Sequence, residues 1–170
     1  MTPRPSRRPS LRVRLASAAL LGATFAVVGC GGGASGGGET RRPTGVAPAD
    51  AGAASAGSAV EQFLSAARGG DVRAMGLLFG TAAGPIAARD AAPDVEKRMR
   101  ALACYLGHDS ARVVDDLPAV GGGARRVLTV ALRQRELARE TRFTVVPGPR
   151  GRWYVEAFDI DRLSDFCRPQ

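Results

Sequence analysis

The sequence predicts an α+β domain with N-terminal helices packed on a curved antiparallel sheet of about four strands. Two observations predict it. Between Ser58 and Leu106 the apolar residues recur with the 3.6-residue period of a helix, and after Gly107 the period falls to two, that of half-buried strands. Helices first and strands afterwards is the order of a segregated α+β fold, not of alternating βαβ units. The roughly 110 residues from Ser58 onward suffice for one domain.

Ser58 followed by Glu61 fits a capping box, and Val60, Phe63, Leu64 and Ala67 then mark the buried stripe of a first helix. Gly69-Gly70 stops it. Asp71 caps a second, short helix with Val72, Met75, Leu78 and Phe79 on one side, ending at Gly80. The Ala-rich connector 81–92 shows no period. A third helix runs from Pro93 to Leu106 with the stripe Val95, Met99, Leu102 and Leu106, which places Cys104 on the opposite side.

The strands follow. Ala111–Asp115 is the first, and the glycines 121–123 form a loop. Arg126–Arg133 alternates, with Leu128, Val130 and Leu132 on one face, and Thr141, Phe143 and Val145 continue the pattern. The run PGPRG at 147–151 is a turn. In the last strand strict alternation puts Trp153, Val155 and Ala157 on one face and Tyr154, Glu156 and Phe158 on the other.

The chain ahead of this domain carries an address. Residues 1–14 hold five Arg and no acid, and LASAALLGATFAVVG follows, shorter than the ~20 apolar residues of a membrane-spanning helix. A basic head, a short apolar body and small residues before a cut describe a signal peptide over 1–29. Its Val27-Val28-Gly29-Cys30 ending resembles the lipobox of bacterial lipoproteins. The resemblance implies that Cys30 is lipidated and becomes the first mature residue. It also implies export, with the protein lipid-anchored to the bacterial membrane and facing the periplasm or the cell exterior. Residues 30–57, the lipidated Cys and a Gly/Ala-rich stretch, read as a disordered tether, and 58–170 as a single domain.

The net charge of +8 suggests nucleic acid only until it is located. Five of the 24 basic residues and none of the 16 acidic ones precede Cys30, leaving 19 against 16, a net +3 with no dense basic stripe. Nucleic acid is therefore not an expected partner. With Cys30 lipidated, Cys104 and Cys167 remain, an even number in an oxidising compartment, which predicts a disulfide. Leu163 and Phe166 would anchor the tail that carries Cys167.

The helix-then-strand order resembles the nuclear transport factor-like (cystatin-like cone) superfamily. AVEQFLSAARGGDVRAMGLLF at 59–79 looks like its first helix pair, and GRWYVEAFD at 151–159 like its final strand. The resemblance implies a cone-like sheet whose cavity, in the isomerase and dehydratase members, holds an Asp or His base with Tyr donors. Here His108 is the sole His, in Gly-His-Asp-Ser, and reads as a solvated loop residue. Tyr105 and Tyr154 are the available phenols, and Glu156 or Asp159 the carboxylates, but no pair stands out as catalytic. Leu128, Val130, Phe143, Trp153 and Val155 are candidate pocket-lining residues, with core filling the stronger reading. No metal-ligand spacing appears, and no cofactor is expected. The sequence thus favours a non-catalytic module that binds a small apolar ligand or an envelope protein, with an isomerase- or dehydratase-like enzyme as the alternative.

Overall fold

A computed structural model of the chain describes residues 51–121 and 123–168. The expected signal peptide, Cys30 and most of the expected tether lie outside the described residues. What is described is α+β: helices against a four-stranded antiparallel sheet.

Helix α1 (Ala56–Gly69) buries Ala59, Val60, Phe63, Leu64 and Ala67, the stripe its spacing predicts. Its cap differs from expectation. Ser55, not Ser58, is the N-cap, and Ser58 is the reciprocal partner three residues on, accepting from the Ser55 N–H at 3.0 Å while its own N–H donates to the Ser55 hydroxyl at 3.2 Å. Ala56 and Gly57 are already helical, so the hydroxyl at 58 closes the box from inside. Gly70 ends the helix in the left-handed conformation, φ 68°. The Asp71 carboxylate accepts from the Ala74 N–H at 2.9 Å and starts α2 (Val72–Leu78), as expected.

The connector holds more order than its composition suggests. Strands β1 (Gly80–Thr81) and β2 (Gly84–Pro85) form a tight hairpin, followed by a 3₁₀ turn at Ile86–Ala88. Only Gly fits at 80, because a Cβ there would run into the Gly84 backbone. Helix α3 (Ala92–Tyr105) buries Val95 and Met99, and Leu106 caps it fully buried.

The sheet is a meander, β3 (Ser110–Pro118), β4 (Arg126–Gln134), β5 (Leu137–Pro147) and β6 (Trp153–Phe158), in sequential order. β3 is longer than the expected 111–115, because its outer half is held by pairing with β4 rather than by burial. Leu128, Val130, Leu132, Phe143 and Val145 face the helices and are fully buried. The expected alternation in β6 fails after Val155. Thr144 pairs with Ala157 but Val145 with Val155, so Glu156 is a bulge residue. Phe158 is thereby turned to the core side, where it stacks on Phe143 at 5.3 Å, while Ala157 is exposed.

Folded structure also begins ahead of the expected boundary at Ser58. Ala51 is 0% exposed, and Ala53 exchanges two backbone hydrogen bonds with Trp153, at 2.9 and 2.8 Å. Arg152 holds this strap from the side, donating to the carbonyls of Ala51 at 3.2 Å and Gly52 at 2.5 Å. The strap has the composition of a tether because it lies flat on Tyr154. A Cβ at Gly52 would stand 2.8 Å from the phenol ring. Small residues are here a packing requirement, not a sign of disorder.

Finally, a 3₁₀ segment at Ile160–Cys167 buries Leu163 and Phe166, the expected anchors. It brings Cys167 to Cys104, with the Cα atoms 5.0 Å apart and the two joined as a disulfide.

Candidate functional site

Space between sheet and helices is mostly filled. Of the expected pocket-lining residues, Leu128, Phe143 and Val155 are fully buried in the core, and Trp153 packs half-buried against it. Val130 is equally buried but forms the floor of a cleft of about 330 Å³ at the rim, between α1 and the start of β3.

One wall is α1. Glu61, Leu64, Ser65 and Arg68 follow each other at helical spacing along the border of its buried stripe. The other wall is His108 with Ala111, Arg112 and Val113. Arg68 spans the end of the cleft, its guanidinium donating to the Asp109 carbonyl at 3.4 Å. Among the described residues Glu61 and Ser65 make no hydrogen bond or ion pair through their side chains, so their polar atoms are left to solvent or a ligand. The cleft therefore offers one guanidinium group, one carboxylate and one hydroxyl beside the apolar Leu64, Val113 and Val130, while the Arg112 side chain lies on the outer face of the sheet, opposite Ala131.

His108 departs from the expected solvated loop residue, being only 8% exposed. The chain turns back after α3 and tucks the ring under itself, where Nδ1 lies 2.7 Å from the Leu106 carbonyl oxygen. A carbonyl only accepts, so Nδ1 carries the proton in this bond, and in the neutral ring the lone pair is then on Nε2. The neighbouring Asp109 is occupied, its carboxylate accepting from the Arg135 N–H at 2.6 Å.

The other expected candidates lie elsewhere. Glu156, on the β6 bulge, holds Arg125 in a two-pronged ion pair at 2.8 and 2.9 Å, and the carboxylate raises the Arg125 guanidinium above its ordinary range. Asp159 faces Arg162 at 3.6 Å. Tyr154 is buried under the strap, its hydroxyl 3.5 Å from the Ala51 carbonyl, and Tyr105 packs half-buried against the core. The structure thus brings His108 to the cleft and leaves Glu156, Asp159 and both phenols out of it.

Ser65 and Arg68 are not singled out from the sequence, and Glu61 is expected there only as a capping-box partner, a role Ser58 takes instead. The signal for all three is their position beside the α1 stripe, which any solvated helix face shares. Among the described residues no cluster of three or more His, Cys, Asp or Glu side chains is placed to hold a metal ion. No helix among them is long and apolar enough to cross a membrane. In comparison with known proteins, no family model matches the chain, and no curated protein and no solved structure does.

Proposed function

We propose that this chain is a lipid-anchored protein of the bacterial envelope whose small domain binds a ligand in the cleft between α1 and β3. Cys30 is the lipidated residue, 31–50 the tether, and the fold a cone of the nuclear transport factor-like kind. The reading of the anchor is supported by the complete signal ending in Val-Val-Gly-Cys. The cone is supported by the helix pair followed by a four-stranded meander. Replacing Cys30 by Ala and fractionating cells tests the anchor. The variant is expected in the soluble fraction, and unchanged membrane retention refutes lipidation.

One observation carries the binding role. The interior is packed with side chains, and the cleft at its rim sets Arg68, Glu61 and Ser65 beside an apolar surface of Leu64, Val113 and Val130. This suits a small molecule with an apolar body and an acidic group, held without chemistry. Calorimetric titration of the full chain with decanoate, beside a Ser65→Trp variant that fills the cleft from the helix side, tests it. Binding by the parent and its loss in the variant are expected. Absence of binding by the parent, or equal binding by both, removes the proposal.

A second reading, an isomerase- or dehydratase-like enzyme, is favoured by His108 alone. A buried imidazole with Nδ1 fixed by a carbonyl is one whose neutral form would present Nε2 as a general base. Its test is exchange of an α-proton of an unsaturated ketone with solvent deuterium. The rate must exceed background and fall in His108→Asn, or the enzyme reading is dropped.

A further inference from the structure

An open sheet has two edges, and here they are treated differently. The edge of β6 is occupied by backbone bridges, Ala53 to Trp153 and Phe79 to Val155. The edge of β3 has no backbone partner among the described residues, and eight of its nine residues are exposed. Val114 is 40% exposed, Leu117 54% and Val120, in the following turn, fully so. These are the large exposed hydrophobic residues of the described chain, and all three belong to one strand and its turn.

The charges along β3 have a pattern of their own. Arg112-Val113-Val114-Asp115 reads plus, apolar, apolar, minus, so it is complementary to itself when reversed. In a regular strand Arg112 and Asp115 would point to opposite faces. Here Val113 pairs with Val130 and Asp115 with Thr129, which leaves Val114 as an extra, bulged residue. Arg112 lies opposite Ala131 and Asp115 opposite Thr129, and both partners alternate with the buried Leu128, Val130 and Leu132. The bulge therefore puts the positive and the negative residue on the same, outer face. Both charges are uncommitted: Arg112 has no ion pair among the described residues, and Asp115 accepts only the Asp116 N–H, at 2.9 Å. Asp116, by contrast, is already bound by Arg126 at 2.6 Å.

We propose that β3 is a self-association edge, and that its partner is a second copy of this chain. The two β3 strands pair antiparallel about a two-fold axis between Val113 and Val114, joining both sheets into one. A two-fold contact uses the same patch twice, so each Arg112 meets Asp115 of the other copy, and the pair forms twice. Val113 and Val114 of one copy face Val114 and Val113 of the other, and the exposed apolar side chains of β3 are covered.

A bulge and acidic residues on an edge also serve to prevent pairing, and that reading predicts a monomer. The two are separated by cross-linking the full chain in cells with a mild oxidant after Val114→Cys, which places a thiol beside the axis. A species of twice the mass on a non-reducing gel is expected. Arg112→Asp should reduce its yield by on the order of tenfold, because both cross-strand pairs become like-charged. The exchanged variant, Arg112→Asp with Asp115→Arg, should restore it. The proposal is overturned if Val114→Cys stays monomeric, if the exchange fails to restore what Arg112→Asp removed, or if Val120→Cys at the turn cross-links as well, since that marks random collision.

Discussion

At the residue scale the tightest constraints sit around Tyr154. Its ring is held between two glycines, with a Cβ at Gly148 falling 2.7 Å from Cε2 and one at Gly52 falling 2.8 Å from Cε1. The backbone at Gly52 is moreover left-handed, φ 73°, so a side chain there is strained as well as crowded. Gly52→Ala is expected to destabilise the domain by about 1–3 kcal/mol, read as a fall in the denaturant midpoint at unchanged slope. Gly57→Ala is the control. It lies on α1 with nothing within 4 Å of the new Cβ, and it should be neutral or stabilising by up to about 1 kcal/mol. Equal effects at the two sites would show that the strap does not bear on Tyr154. Glu156 makes a different point at this scale. The sequence marks it as a carboxylate on a strand facing away from Trp153 and Val155, but its role as the bulge that holds Arg125 depends on a register no alternation rule supplies.

At the scale of elements, the C-terminal 3₁₀ segment is fastened three ways: by Leu163 and Phe166 in the core, by the disulfide to α3, and by Asp165 to Arg139 at 2.8 Å. Cys104 and Cys167 are 63 residues apart, and in the chain-entropy picture such a loop stabilises the fold by about 4 kcal/mol. The Cys104→Ser, Cys167→Ser double variant should lose about that much in urea unfolding. A loss under about 1 kcal/mol would mean that the tail is held by packing alone. The Asp165 carboxyl is kept below the usual carboxylate range by the Arg139 hydrogen bond and then by the charge of Arg168. A carboxyl depressed by folding contributes stability that is fully present above its unfolded pKa, about 3.9, and is lost as pH falls through the folded value. Asp165→Asn should therefore be less stable than the parent at about pH 6, with the gap closing as the pH falls through the carboxyl's lowered folded-state range. A gap independent of pH would assign its effect to packing.

At the scale of the whole molecule, a small domain emerges that closes one sheet edge with its own strap, while the other has no backbone partner among the described residues. The strap is tied to the fold at Leu77 and Trp153. Trypsin should cut after Arg41, ahead of the strap, and leave a stable product that includes residues 51–168. Arg152→Ala frees the carbonyls of Ala51 and Gly52, so the Ala53 and Trp153 amides should exchange with solvent faster in it than in the parent. Unchanged exchange would mean that the bridge to β6 holds the strap without the clamp.

The sequence by itself determined the helix stripes, the alternating core face of β4 and β5, the two-part order of the fold and the pairing of Cys104 with Cys167. Each rests on local periodicity or on counting, which a single chain displays openly. Only the tertiary structure decided the rest. It folded residues 51–55 onto Tyr154, turned Phe158 inward past the Glu156 bulge, buried His108 beneath the turn after α3, and set Arg68 and His108 at one cleft. The physical reason is common to all four. Each depends on which backbone approaches which across the sheet or between the layers, and a glycine or a histidine looks the same in the sequence whether its neighbour in space is water or a tyrosine ring.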